Sequence, residues 1–295
     1  MCGIMGYNFK KGAIEPARRA ILANNLARLN DRRGGDSWGV ATIINNEINV
    51  ARGLGDMMDH AFHFIEGDVM FGHTRYATMG AKTIENAHPF AIGNIVGAHN
   101  GMLYNHHDLK KKYKRECEVD SMHLFHHLNE GRSFSDIEGY GAIEWVNRKD
   151  LSSIYLSRLK NGSLTIMAIG TKDNVKGIVW SSDDKHLLEA LYCAGINEYF
   201  PYKVEEGALY FVKDGDAYLA TGKKLELAAR NSTTSYKWED NSHTYVGSKY
   251  SGGKHGGAGY SASNFPDKDQ SHKDLSEWRE WNNFCKSKEK SHSYI

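Results

Sequence analysis

The chain opens M1-C-G-I-M-G-Y-N-F9, and the reading of these nine residues decides what the rest must be. Cys2 directly follows the initiator methionine and is followed at once by Gly3. A residue as small as Cys in second place lets the initiator Met be removed, which leaves Cys2 carrying a free α-amino group. Such an amine titrates at about 7.7–8.0, so a thiol and its base would share one residue. The plain alternative is a small apolar residue at the start of a strand, IMGYNF. The stretch alone does not choose between them.

Composition narrows the field. The 295 residues carry 37 Lys and Arg against 36 Asp and Glu, a net charge of +1, and 40% are hydrophobic. With no basic surplus to neutralise phosphates, binding to nucleic acid through bulk charge is not expected. No apolar run approaches the roughly 20 residues of a membrane helix, and no secretory signal is visible. The four cysteines, Cys2, Cys117, Cys193 and Cys285, form no C-x-x-C pair. That spacing disfavours a disulfide framework or a zinc site and suits a cytoplasmic protein.

Residues 1–230 read as one folded unit of strands with inserted helices. PARRAILANNLARLN predicts an amphipathic helix with Pro16 at its start and Ile21, Leu22, Leu26 and Leu29 on one face. VATII and INVARG flank Asn45-Asn46 and predict a hairpin. DMMDHAFHFI reads as a short helix. VMFGH, NIVGAHN, SLTIMAIG, KGIVWSS, ALYFV and DAYLA read as strands. HHDLKKKYKR, DSMHLFHHLNE, GYGAIEWVNR and KHLLEALYCAG read as helices. This rhythm predicts an α+β fold of stacked antiparallel sheets with helices outside. Residues 231–270 are rich in Ser, Gly, Tyr and Asn and read as a polar, disordered linker. Residues 271–295 space Leu275, Trp278, Trp281 and Phe284 three apart, as a short amphipathic docking helix would.

Three polar stretches lie beside apolar strands: RRGGDSWG (32–39), GHTRYATMGAKTIENAHPF (72–90) and AHNGMLYNH (98–106). A cysteine attacking an amide creates an oxyanion that needs fixed donors. The Asn100 side chain and the Gly101 N–H can supply them, although an isolated Asn-Gly is also the mark of a hairpin turn. Arg75 can clamp a carboxylate through two parallel bonds, or pair with Asp36. Asp120 can meet an ammonium, or cap the helix that follows it. His123 and His127 lie on a helix face without evident carboxylate support, which favours a surface cluster over a metal site.

The ordered set MCGI, RGGDSWG, GHTRYATMG, NAHPF and AHNG-x-x-x-N resembles the class II glutamine amidotransferases, N-terminal-nucleophile hydrolases that take ammonia from glutamine. The resemblance extends over residues 2–220. It implies a four-layer αββα sandwich of two antiparallel sheets. It implies Cys2 as nucleophile with its freed amine as base, and Asn100 with Gly101 as the oxyanion hole. It further implies that Arg75, with Thr78 nearby, holds the glutamine α-carboxylate and Asp120 the α-ammonium. His88 helps shape the site, and Arg33, Gly34 and Asp36 support the Cys2 loop. Many members carry Trp where this chain has Tyr76, and several carry His where it has Met79; both positions line the pocket. No metal or other cofactor is implied. The substrate is L-glutamine, and the ammonia would pass to a separate synthase subunit. The alternatives are a hydrolase of other γ-glutamyl amides and an inactive binding module.

Overall fold

A computed structural model of the chain describes residues 2–59 and 67–229. The expectations for 231–270 and 271–295 lie outside the described residues, as does most of the short helix expected after Asp56. Only Met57–Asp59 of that stretch is described, as one 3-10 turn.

The chain runs β1 (Gly3–Phe9), α1 (Pro16–Asp31), β2 (Ser37–Ile44), β3 (Glu47–Leu54), β4 (Val69–Arg75), β5 (Phe90–Ile92) and β6 (Ile95–Leu103). Then come α2 (His106–Tyr113), α3 (Met122–Glu130), β7 (Gly139–Asn147) and β8 (Asp150–Arg158). It continues through β9 (Thr165–Thr171), β10 (Asn174–Ser181), α4 (Asp184–Cys193), β11 (Tyr199–Pro201), β12 (Ala208–Lys213) and β13 (Asp216–Lys224). Among the described residues the strands form two antiparallel sheets, ordered β11-β9-β10-β1-β4-β2-β3 and β13-β12-β8-β7-β6-β5.

Strand alternation builds the layers. On β1, Met5, Tyr7 and Phe9 point one way and pack against Leu22, Leu26 and Leu29 of α1 and Leu187 and Leu191 of α4. Ile4 points the other way, into a core shared with Val96, Ala98, Ala142 and Val146 of the second sheet. The far face of that sheet, through Ile143 and Trp145, meets Leu109 of α2 and Leu124 and Phe125 of α3. The result is a four-layer αββα sandwich. Each fully buried leucine contributes about 1.5–3 kcal/mol. The hairpin at Asn45-Asn46 is as expected, with both residues at positive φ (52° and 60°), the geometry a two-residue hairpin turn requires.

Two expectations are corrected and one open alternative is closed. GYGAIEWVNR is no helix. It is the strand β7, paired with β6 on one side and β8 on the other. Both its faces are buried, so neither the two-residue nor the 3.6-residue period shows in its sequence. Asn100-Gly101 is no hairpin turn but lies inside β6. Ile21 stands 42% exposed, because the buried face of α1 runs instead through Leu22, Ala23, Leu26, Ala27, Leu29 and Asn30.

Candidate active site

Register gathers the polar motifs at one end of the sandwich. Gly3 lies opposite Thr74, and Ser37 opposite Arg75. The start of β1, the end of β4 and the start of β2 therefore share an edge, where Cys2, Arg75 and Asp36 meet. The Cys2 thiol lies against Tyr76: its Sγ accepts from the Tyr76 N–H at 3.3 Å and donates to the Tyr76 carbonyl at 3.4 Å. Burial pushes the thiol above its ordinary value of 9.0, against the pull of the Tyr76 backbone and the Arg75 charge. At neutral pH it stays protonated, so attack by this sulfur needs a base close by.

The residues from 32 to 36 carry the Cys2 end of the chain. The Arg33 Nε donates to the Cys2 carbonyl at 3.1 Å, while its Nη1 bonds Asp183 at 2.8 Å. Gly34 lies so close to β4 that a side chain there would meet the Thr74 carbonyl carbon at 2.7 Å. The Asp36 carboxylate accepts from the Ala77 N–H at 2.8 Å and from Lys82 at 2.6 Å. Burial would raise this carboxyl, but Lys82 and the Ala77 amide hold it below the usual range. Asp36 thus fixes the turn that delivers Tyr76 to Cys2.

Asp36 does this instead of pairing with the Arg75 side chain. The Arg75 guanidinium bonds the carbonyls of Met79 at 2.6 Å and Ala81 at 3.2 Å. These two bonds fold the loop after β4 around it. Burial lowers its pKa, and Cys2, Asp36, Asp120 and Glu118 act in the opposite direction. Thr78 and Tyr76 are exposed on that loop, Tyr76 by 53%. His88 is buried at the loop's end and packs against His73, with ring centroids 4.2 Å apart and the planes tilted by 52°. Burial, reinforced by the neighbouring His73, keeps His88 neutral.

The other sheet contributes Asn100 and Gly101. The Asn100 Nδ2 bonds Ser182 Oγ at 2.8 Å. Gly101 faces Gly141 across β6 and β7. The Gly141 N–H turns away from that pair to the Lys160 carbonyl. The pair is therefore a non-hydrogen-bonded one, and the Gly101 N–H leaves on the edge away from β7. Leu103, two residues on, sends its N–H out along that edge to the Asp120 carboxylate at 2.6 Å. A side chain at Gly101 would collide with the Tyr140 carbonyl oxygen and with His99 Nε2 at 2.5 Å.

Asp120 caps no helix with its side chain; the cap position of α3 is Ser121. Its carboxyl is buried and raised by that burial, with the Leu103 amide and the Arg75 charge opposing. His123 and His127 form no surface cluster. Both are fully buried on the inner face of α3, and the Arg115 guanidinium bonds His127 Nδ1 at 3.0 Å. His127 Nε2 meets Asp136 at 3.1 Å. No group of metal-holding side chains occurs among the described residues. The sequence reading missed Ser182 and Asp183. The run Ser-Ser-Asp-Asp before α4 does announce a helix cap, and Asp183 accepts from the Lys185 and His186 amides. Nothing local announces that Ser182 reaches Asn100.

The chain has sequence relatives among known enzymes. The glutamine–fructose-6-phosphate aminotransferase of Clostridium acetobutylicum is 32% identical over 248 residues, 77% of this chain and 36% of its own length. That of Vibrio parahaemolyticus is 31% identical over 252 residues, covering 77% and 38%. The amidophosphoribosyltransferase of Archaeoglobus fulgidus is 27% identical over 246 residues, covering 78% and 52%.

The chain belongs to the class II glutamine amidotransferases.

It spans about a third of the length of the aminotransferases in this family and about half of the phosphoribosyltransferase. Among solved structures, the B. subtilis glutamine phosphoribosylpyrophosphate amidotransferase aligns at a TM-score of 0.49 and 18% identity, over 74% of this chain and 48% of that one. No protein-family model matches the chain. No described helix is long and apolar enough to cross a membrane.

Proposed function

We propose that the chain hydrolyses the side-chain amide of L-glutamine and releases ammonia to a synthase, carried on another subunit or another part of the same protein. The observation that carries this reading is the meeting, at one end of the sandwich, of a half-buried thiol, a buried guanidinium and a glycine N–H on an open strand edge beside a buried carboxyl.

In this reading Met1 is removed and the Cys2 amine takes the thiol proton. The sulfur attacks the γ-amide carbon, and the carbonyl oxygen gains charge that Asn100 Nδ2 and the Gly101 N–H stabilise. The tetrahedral intermediate collapses, the C–N bond breaks, and the amine returns the proton to the departing ammonia. Water then adds to the γ-glutamyl thioester, the C–S bond breaks, and glutamate leaves with the thiol restored. Arg75 holds the substrate α-carboxylate once its bonds to Met79 and Ala81 rearrange. Asp120 receives the α-ammonium. Thr78, Tyr76 and His88 shape the pocket, and Arg33, Gly34 and Asp36 hold the Cys2 segment in place. No metal or other cofactor enters any step.

The test is the intact mass of the protein with and without 6-diazo-5-oxo-L-norleucine, a glutamine-like electrophile. Loss of the Met1 mass and a single adduct on Cys2, blocked by excess glutamine, is the expected outcome. A retained Met1 and no adduct would overturn the reading.

A further inference from the structure

Ser182 sits in the described site without a role in the chemistry above, and its hydroxyl is bonded to both sheets there. It follows the last residue of β10 and is 1% exposed. Its Oγ accepts from the Ile4 N–H at 2.9 Å and from Asn100 Nδ2 at 2.8 Å. Its own hydrogen faces the Ile4 carbonyl at 3.4 Å. Its backbone N–H donates to that same carbonyl at 2.9 Å, and its carbonyl accepts from Ser163 Oγ at 2.6 Å. A hydroxyl has one donor and two acceptor sites, and all three are engaged.

The two partners matter more than the count. Ile4 lies two residues from Cys2 on the first sheet, and Asn100 lies on the second. One oxygen therefore links the nucleophile's strand to the side chain opposite it. The bond also decides which way the Asn100 amide faces. A side-chain amide rotated by 180° has nearly the same shape, but it exchanges an NH2 donor for an oxygen acceptor. The Ser182 oxygen, already holding the Ile4 N–H, has its remaining lone pair to offer and selects the NH2. Turned the other way, Asn100 would bring its carbonyl oxygen toward the side of Ile4 and Cys2 and repel a developing oxyanion.

We propose that Ser182 is a positioning residue that sets the orientation of the Asn100 amide relative to Cys2, and with it the strength of the oxyanion hole. This rests on the glutaminase reading above. A group that acts only on the developing oxyanion changes kcat and leaves substrate capture alone. Loss of one oxyanion donor costs about 100- to 1,000-fold in kcat. Loss of its orientation, with the amide sampling both faces, is expected to cost about 10- to 100-fold.

The experiment measures ammonia release from glutamine for the wild type, Ser182→Ala, Ser182→Cys and Ser182→Thr, together with each variant's stoichiometry of labelling by 6-diazo-5-oxo-L-norleucine. Ser182→Ala and the nearly isosteric Ser182→Cys are expected to lower kcat by about 10-fold or more, with KM within about threefold of wild type. Ser182→Thr keeps the hydroxyl and is expected to restore most of the rate. In an Asn100→Ala background, Ser182→Cys is expected to cost less than twofold more. Should Ser182→Ala fail to fold, the Cys and Thr variants decide alone. An unchanged kcat in Ser182→Cys, or an equal loss with and without Asn100, overturns the proposal. A wild-type protein that neither labels nor releases ammonia overturns the glutaminase reading instead.

Discussion

Arg33 and Cys2 are joined by a bond from the guanidinium Nε to the backbone carbonyl, 3.1 Å long and 31 residues apart in sequence. The other arm of Arg33 is anchored on Asp183 at 2.8 Å, with both side chains mostly buried. The planar fork makes the two bonds at once, in directions that an ammonium on a flexible stem cannot fix together. Arg33→Lys is expected to lower kcat/KM for glutamine by about tenfold, because the Cys2 segment loses its placement. Arg33→Ala is expected to cost in addition about 1–3 kcal/mol of stability. Steady-state kinetics and urea unfolding read the two effects separately. A lysine variant with wild-type kcat/KM would show that Cys2 is placed by β1 alone.

Gly101 offers a test of the second donor proposed for the oxyanion. An added methyl would press on the Tyr140 carbonyl oxygen and on His99, and overpacking of this kind costs about 1–3 kcal/mol. The strand would have to shift, and its N–H with it. Gly101→Ala is expected to lower kcat by about 100-fold while the protein stays folded at 25 °C. Ammonia release and a urea titration on the same preparation check both halves of the statement.

Four of the six histidines buried among the described residues show why the fold is acid-sensitive. Burial lowers the pKa of His73 and His123 to about 3, and of His99 and His106 to about 4, from an ordinary 6.5. A histidine whose folded pKa is depressed contributes stability that is present above 6.5 and is lost as pH falls toward the folded value. At pH 5 each one costs about 2 kcal/mol relative to neutral pH. The urea midpoint is expected to hold from pH 8 to 7 and to fall steeply between pH 6.5 and 5. A flat profile through that window would mean the four rings take up protons in the folded state.

Glu144 works in the opposite direction. It is fully buried between the sheets and accepts from the Trp180 indole at 2.6 Å. Burial raises its carboxyl well above the ordinary 4.5, with the Trp180 bond opposing. A raised carboxyl contributes stability below pH 4.5 and loses it as pH rises through the folded value. Glutamine keeps the acceptor for Trp180 without the charge. Glu144→Gln is expected to raise Tm at pH 8 by several degrees more than at pH 5. Equal shifts at the two pH values would show that this carboxyl titrates alike in the folded and unfolded chains.

Much of this protein was legible without coordinates. The periodicity of α1 and α4, the Asn45-Asn46 hairpin and the strands β1, β4, β6, β9 and β10 are local facts, set by residues within one or two turns of each other. The αββα architecture followed from their rhythm and from the family likeness. The polar motifs named the segments that later met at one end of the sandwich.

What the chain alone left open depended on which segments became neighbours. β7 is misread as a helix because it lies inside its sheet with both faces covered, and coverage is not a property of nine residues. Asn100-Gly101 has the composition of a turn, and only pairing with β7 keeps it extended. His123 and His127 look like surface residues until α3 turns them onto Arg115 and Asp136. The bonds from Arg33 to Asp183 and from Asn100 to Ser182 span 150 and 82 residues. Local propensity and patterning wrote the elements, because they act over a few residues. The placing of a thiol, a guanidinium and two donors together was decided by register and sheet packing, which act between residues that sequence holds far apart.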